Sequence, residues 1–178
     1  MRIIAGIKRG HKLYEFDGMD IRPTTDRVKE SMFNLIQDFV PQSRVLDLFA
    51  GSGALCFEAL SRGAEFGVLV DKDKNSLALI RKNNASLGFS NLEIVNSEAM
   101  NFLDNTKKEF SLIFLDPPYN KGFIAPVIRK IMERKLLLQD GIIVLESDFS
   151  DEHGDFEGLI KLKQKKYGRS YVTVYKRG

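Results

Sequence analysis

The stretch Arg44-Val45-Leu46-Asp47-Leu48-Phe49-Ala50-Gly51-Ser52-Gly53 decides how the chain is built. An apolar strand, Arg44–Phe49, runs into a glycine turn, and a helix from Ala54 to Arg62 follows. The alternation then repeats. Phe66–Val70 is a second strand ending at Asp71, with a helix to Leu87. Leu92–Val95 is a third, with a short helix near Glu98–Leu103. Phe110–Leu115 is a fourth, ending in Asp116-Pro117-Pro118-Tyr119, and a helix runs from there to Arg134. Ile142–Leu145 is a fifth, ending at Glu146. Unbroken apolar strands separated by helices predict strands buried on both faces, hence a doubly wound, mostly parallel α/β sheet. Two β-rich segments, Leu159–Lys166 and Ser170–Lys176, joined at Tyr167-Gly168, predict an antiparallel hairpin at one edge.

Upstream, Ile3, Ile4 and Ile7 with Gly6, Gly10 and Gly18 read as a short β-hairpin, an N-terminal extension over 1–23. Arg22-Pro23-Thr24-Thr25-Asp26 breaks that pattern and opens a helix over 24–40. Val28, Met32, Leu35, Ile36 and Phe39 recur at helical spacing and predict its buried face. The α/β core occupies 43–178, and no linker or repeat divides the 178 residues.

Composition narrows the function. The chain is 43% hydrophobic and 29% charged, and no apolar run approaches the roughly 20 residues of a membrane span. The N-terminus lacks the apolar core of a secretory signal. One cysteine, Cys56, forms no internal disulfide, and with two histidines, His11 and His153, the usual zinc frameworks are excluded. A reduced, cytoplasmic, metal-free protein is expected. Net charge is +3, but unevenly spread: residues 1–13 hold Arg2, Lys8, Arg9 and Lys12 and no acid, and residues 159–178 hold seven basic residues and no acid. The remainder is net acidic. Basic ends on an acidic body suit a polyanionic partner such as nucleic acid.

Ligands of open α/β sheets bind beyond the carboxyl ends of the strands, where Asp47, Asp71 and Asp116 fall. The turn Ala50-Gly51-Ser52-Gly53 resembles a dinucleotide turn, but Cys56 occupies the place of its third glycine. Asp47 would repel a pyrophosphate and suits a cationic ligand such as S-adenosylmethionine, which carries a sulfonium and an ammonium. Asp71 lies 18 residues after Gly53, near the interval at which an acid meets ribose hydroxyls. Ser97, Glu98 and Ala99 follow the third strand and either border an adenine or begin a helix capped by Ser97. Asp116-Pro117-Pro118-Tyr119 offers acceptors and an aromatic plane, with no amide donor from either proline. That set suits a planar base with an exocyclic amine. Cys56, among Leu55, Phe57, Ala59 and Leu60, reads as a core residue.

With RIIAG at the start, RPTTDRVKESMFN at Arg22–Asn34, DLFAGSGALCFEALSRGA at Asp47–Ala64 and LDPPY at Leu115–Tyr119, the chain resembles the bacterial 16S ribosomal RNA guanine-N2 methyltransferases, the RsmD family. The resemblance implies a Rossmann-like class I methyltransferase fold of seven strands with an antiparallel C-terminal strand. It implies transfer of a methyl group from S-adenosylmethionine to N2 of one guanosine of 16S rRNA, in the small subunit or a late assembly intermediate, by a monomer. Carried onto this chain, Asp47, Ala50, Gly51, Ser52 and Gly53 line the methionine end of the cofactor, Asp71 the ribose, and Ser97, Glu98 and Ala99 the adenine. Arg22 and Thr24 belong to a segment closing over it. Asp116, Pro117, Pro118 and Tyr119 hold the target guanine, and Arg2, Lys8, Arg9, Lys12, Lys165, Lys166 and Arg169 grip RNA around the pocket. The rival readings are an N6-adenine methyltransferase, a Rossmann oxidoreductase and a catalytically silent RNA-binding protein.

Overall fold

A computed structural model describes residues 1–16, 26–118, 122–148 and 154–178. Among them are seven strands, β1 (Arg44–Asp47), β2 (Phe66–Asp71), β3 (Leu92–Asn96), β4 (Phe110–Leu115), β5 (Leu137–Asp148), β6 (Leu159–Tyr167) and β7 (Ser170–Arg177). They form one sheet in the order β3-β2-β1-β4-β5-β7-β6. The first five are parallel to their neighbours, whereas β7 runs antiparallel to β5 and to β6. The helices are α1 (Asp26–Leu35), α2 (Ala54–Ser61), α3 (Lys74–Leu87), α4 (Ala99–Asn105) and α5 (Ile124–Glu133).

Alternation along the strands sends side chains to two separate cores. Val45, Leu112, Phe114, Val144, Val172 and Val174 point to the face covered by α1, α2 and α3. Leu46, Ile113, Leu115, Ile143, Leu145 and Tyr175 point to the face covered by α4 and α5. From β1 the chain winds outward through β2 and β3, then returns to lay β4 on the other side of β1. The resulting switch in winding direction opens a crevice at the carboxyl ends of β1 and β4.

The structure departs from the sequence reading in three places. First, the helix expected over 24–40 ends at Leu35, and a separate 3-10 turn covers Gln37–Phe39; α1 buries Lys29, Met32 and Phe33, Ile36 is buried just beyond it, and Val28, Leu35 and Phe39 are half-buried. A lysine takes the centre of the apolar face because Glu58 of α2 meets it there, Nζ to Oε2 at 3.3 Å. Second, β5 begins five residues earlier than its apolar run, at Leu137. The polar interruption Gln139-Asp140-Gly141 hides this part, and the pairing with β4 shifts register across it, from Phe110↔Leu137 to Leu112↔Ile142. Third, among the described residues the N-terminal hairpin carries one antiparallel bridge, Arg2↔Lys12, with flanking backbone hydrogen bonds such as Ile3 to the His11 carbonyl at 2.9 Å, rather than full strands.

That N-terminal arm is nonetheless firmly docked. Glu58 accepts the backbone amides of Ile4 and Ala5 at 2.9 and 3.0 Å, and the Nε of Arg62 at 2.8 Å. Lys29 also donates to the carbonyl of Arg2, at 2.5 Å. Gly6 lies so close to α2 that a Cβ there would fall 1.8 Å from the carbonyl oxygen of Ser61. The arm therefore needs glycine at that contact.

Candidate active site

A cavity of about 340 Å³ opens over the carboxyl ends of β1, β2 and β3 and beside the end of β4. Of the residues expected from the sequence, Gly51, Asp71, Ser97, Glu98, Ala99, Asp116 and Pro118 stand on its wall. Asp47, Ala50, Ser52, Gly53 and Pro117 do not. Arg22, Thr24 and Tyr119 lie outside the described residues.

Each wall residue is placed by its strand end. Asp71 closes β2, where its Oδ2 accepts the amide of Gly51 and its Oδ1 that of Asp73, both at 2.9 Å. These bonds lock the glycine turn to the acid. Each oxygen retains a further lone pair, so the carboxylate remains able to accept two hydroxyls. Across it, Ser97 donates its amide to the Asp71 carbonyl at 3.1 Å. Ser97 does not cap α4: its hydroxyl turns to the Glu98 carbonyl at 2.9 Å, and the capping position is Glu98. At the rim, Lys72 pairs with Glu98 at 3.3 Å.

The two glycines of the turn differ in purpose. Gly51 faces open space, consistent with its place on the wall. Gly53 has a φ of 81° and caps α2, and a Cβ on it would lie 2.6 Å from the Phe57 ring and 2.9 Å from Leu69. Its glycine is required by packing. Sequence reasoning missed the apolar part of the wall, which includes Phe16, Phe49, Met100 and Phe123. Phe49 and Phe123 hold their rings 6.1 Å apart. Phe16 and Phe123 come from irregular segments with no periodicity, so nothing in the local sequence marks them.

At and beneath the wall sits a group of acids. Asp47 is 1% exposed, and its Oδ2 accepts the Cys56 amide at 3.3 Å. Burial pushes its carboxyl up to about 7, and the Asp71 charge adds to this while the Cys56 amide opposes it. Asp116 is raised well above the usual carboxylate range, first by burial, then by the nearby charges of Glu146 and Asp47. Glu146 stands beside it because Leu115 pairs with Leu145, so the next residues along β4 and β5 fall abreast. Cys56 is fully buried, with its thiol pushed up by burial, and packs as the sequence suggests.

The basic residues fall at two ends of the molecule. Helix α2 carries the chain from the carboxyl edge of the sheet back to the amino edge, and Ser61 is its last residue. Ile7 and Lys8 donate their amides to the Ser61 carbonyl and hydroxyl, each at 2.9 Å. Lys8 and its neighbour Arg9 thus lie one helix length, about 11 Å, below the glycine turn. Arg2 and Lys12 bridge nearby, with Arg2 paired to Asp26 at 3.7 Å. Lys165, Lys166 and Arg169, by contrast, crowd the β6–β7 turn at the carboxyl edge. A grip surrounding one pocket is replaced by two separate basic zones.

Strand order, antiparallel last hairpin and a cavity over β1–β3 define a class I methyltransferase fold. A family model described as Conserved hypothetical protein 95 matches residues 1–176. Ribosomal RNA small subunit methyltransferase D of Escherichia coli is 39% identical over 148 residues, covering 83% of this chain and 75% of its own. Its namesake in Haemophilus influenzae is 36% identical, over 98% of this chain and 93% of its own. The solved structure of yhhF from Escherichia coli superposes with a TM-score of 0.91 at 35% identity, over 99% of this chain and 97% of that one. The chain belongs to this family, the RsmD family.

Proposed function

We propose that the protein methylates the exocyclic N2 amine of one guanosine in 16S ribosomal RNA, in the small subunit or a late assembly intermediate, with S-adenosylmethionine as methyl donor. The observation that carries this reading is the single cavity wall on which Asp71, with two free acceptor positions, and Asp116, next to a donor-free proline pair, stand together.

The donor site fits an uncharged ribose and adenine flanked by a cationic methionine end. Asp71 accepts the ribose hydroxyls, Gly51 leaves room for the ligand, and Ser97, Glu98 and Ala99 border the adenine. Asp47, with Ala50, Ser52 and Gly53 behind the wall, supplies negative potential and shape rather than direct contact. Bound there, S-adenosylmethionine supplies a methyl group made electrophilic by its sulfonium.

At the other end of the cavity the chain's own groups act on the base. A guanine N2 lone pair is delocalised into the ring and attacks poorly. Asp116 and the Pro117 carbonyl accept the amine hydrogens, localise that pair and stabilise the positive charge that grows on nitrogen. Pro118 and Tyr119 confine the ring. Most of the acceleration comes from fixing the reacting atoms in line. Arg22 and Thr24 complete the cofactor side, and the basic residues Arg2, Lys8, Arg9, Lys12, Lys165 and Arg169 engage RNA phosphates.

The test combines purified protein, methyl-labelled S-adenosylmethionine and small ribosomal subunits from a strain lacking the gene, followed by nucleoside analysis. Label in N2-methylguanosine is the expected result. Label in N6-methyladenosine would move the activity to adenine, and no label in rRNA would overturn the reading. Asp116→Ala is expected to abolish turnover with S-adenosylmethionine affinity changed no more than a few-fold, measured by calorimetry.

A further inference from the structure

The β6 strand carries Lys163, Lys165 and Lys166 at the open edge of the sheet, where lysines commonly serve to block strand addition. Register separates their roles. Glu146 pairs with Val172, and Val172 pairs with Lys165. Leu115 pairs with Leu145, so Asp116, one residue past the end of β4, continues this row beside Glu146, Val172 and Lys165. Three strand spacings put Lys165 about 14 Å from Asp116 along that row. Val172 belongs to the core under α1, so this row, Lys165 included, points to the α1 face.

Neighbouring contacts agree. Lys165 lies over the Tyr167 ring, 5.4 Å from its centroid, and the Tyr167 hydroxyl meets Ser31 of α1 at 2.5 Å. Two residues back, Lys163 on the same face reaches the Leu35 carbonyl at the end of α1, at 3.3 Å. Lys166 pairs instead with Tyr171 and lies over its ring, 5.8 Å from the centroid. By strand alternation that pair occupies the opposite face.

We infer that the RNA strand leaving the base pocket crosses the carboxyl edge on the α1 face, with Lys165 holding a backbone phosphate within a nucleotide or two of the target base, and with Lys166 off its path. This rests on the methyltransferase reading above. The distance suits it, because the flexible lysine stem shortens the gap to roughly a nucleotide's length. The chemistry suits it as well: an ammonium is a point charge that binds a phosphate without demanding a fixed orientation. Tyr167, hydrogen-bonded to Ser31, gives the Lys165 ammonium an aromatic face to rest over beside that path.

The experiment compares Lys165→Gln with Lys166→Gln, two single-charge losses one residue apart on an exposed strand. Methylation of small subunits is measured at several salt concentrations, with S-adenosylmethionine affinity measured separately on each variant. Lys165→Gln is expected to lower kcat/KM about five- to tenfold and to flatten the logarithmic salt slope by about one. Lys166→Gln should change kcat/KM less than twofold, and both should bind S-adenosylmethionine as the parent does. Equal losses in the two variants, or a larger loss in Lys166→Gln, would overturn the inference while leaving the activity intact. A parent protein that methylates no rRNA would instead remove the reading on which it rests.

Discussion

Two buried ionic groups sit within the same sheet-and-helix core and are built on opposite terms. Where α1, α2 and the N-terminal arm meet, Glu58 and Lys29 are both fully buried, and opposite charges are brought together. Glu58 receives two amides and two cations, and Arg62 also lies over the Phe33 ring at 4.7 Å. Burial lowers the pKa of Lys29, and the Glu58 carboxylate pulls it back. At the carboxyl edge, Asp47, Asp116 and Glu146 bring like charges together, and burial raises both aspartates. The matched group holds the frame. The acid group brings like charges together within that frame, a strain of the kind found at ligand sites.

Breaking the matched group should have the largest effect. Glu58→Ala leaves Lys29 and Arg62 without their carboxylate and frees two arm amides, at a cost of about 3–5 kcal/mol. Urea unfolding followed by circular dichroism should show a sharply lower midpoint. A loss under about 1 kcal/mol would mean that the arm is held chiefly by its apolar contacts.

Relieving the acid group should act in the other direction. With its pKa raised to about 7, Asp47 binds a proton more tightly in the folded chain than in the unfolded one. Its contribution to stability is therefore complete below the unfolded pKa, near 3.9, and is lost as pH rises through about 7. Asp47→Asn keeps the acceptor for the Cys56 amide and abolishes this loss. At pH 8 and without ligand, the variant should exceed the parent by roughly 2–4 kcal/mol, with the difference vanishing near pH 4. Parent stability that stays flat between these limits would contradict the assignment.

A third test asks how tightly the acids are coupled. If Asp116 accepts the amine hydrogens as a carboxylate, turnover falls as pH drops through its raised pKa. Glu146→Gln removes a repelling charge next to it, so the acid limb of the kcat/KM profile should move to lower pH. A limb that stays in place would separate Glu146 from the titration of Asp116.

The contrast between the two groups also marks what the sequence could reveal. Strands β1 to β4 are legible within a residue or two, because apolar runs of that length between helices have few other uses. Asp71, Ser97 and Asp116 are legible as wall residues since each ends a strand or directly follows one, and topology puts strand ends at the crevice. Asp47 ends a strand too, yet its side chain turns under the wall toward α2, and only the three-dimensional packing decides that. Lys29 was hidden for a related reason: its partner lies 29 residues away, so helical periodicity assigned its place to Val28. Phe16 and Phe123 were invisible because loop residues carry no period.

The smallest expected effect lies at the rim, where Lys72 and Glu98 form a third kind of pair, exposed on both sides at 62% and 64%. Solvent screens such a pair, and ordering two long side chains offsets its attraction, so Lys72→Gln should change stability by less than about 1 kcal/mol. Its value is as a control on the comparison. The substitution sits on the same cavity wall as Asp71 and Asp116, but touches neither buried group. If the acid group is strained because it is buried, Lys72→Gln must leave both the pH dependence of stability and the acid limb of kcat/KM unchanged. A shift in either would show that rim charges reach the buried acids, and the strain would then belong to the whole cavity rather than to Asp47, Asp116 and Glu146.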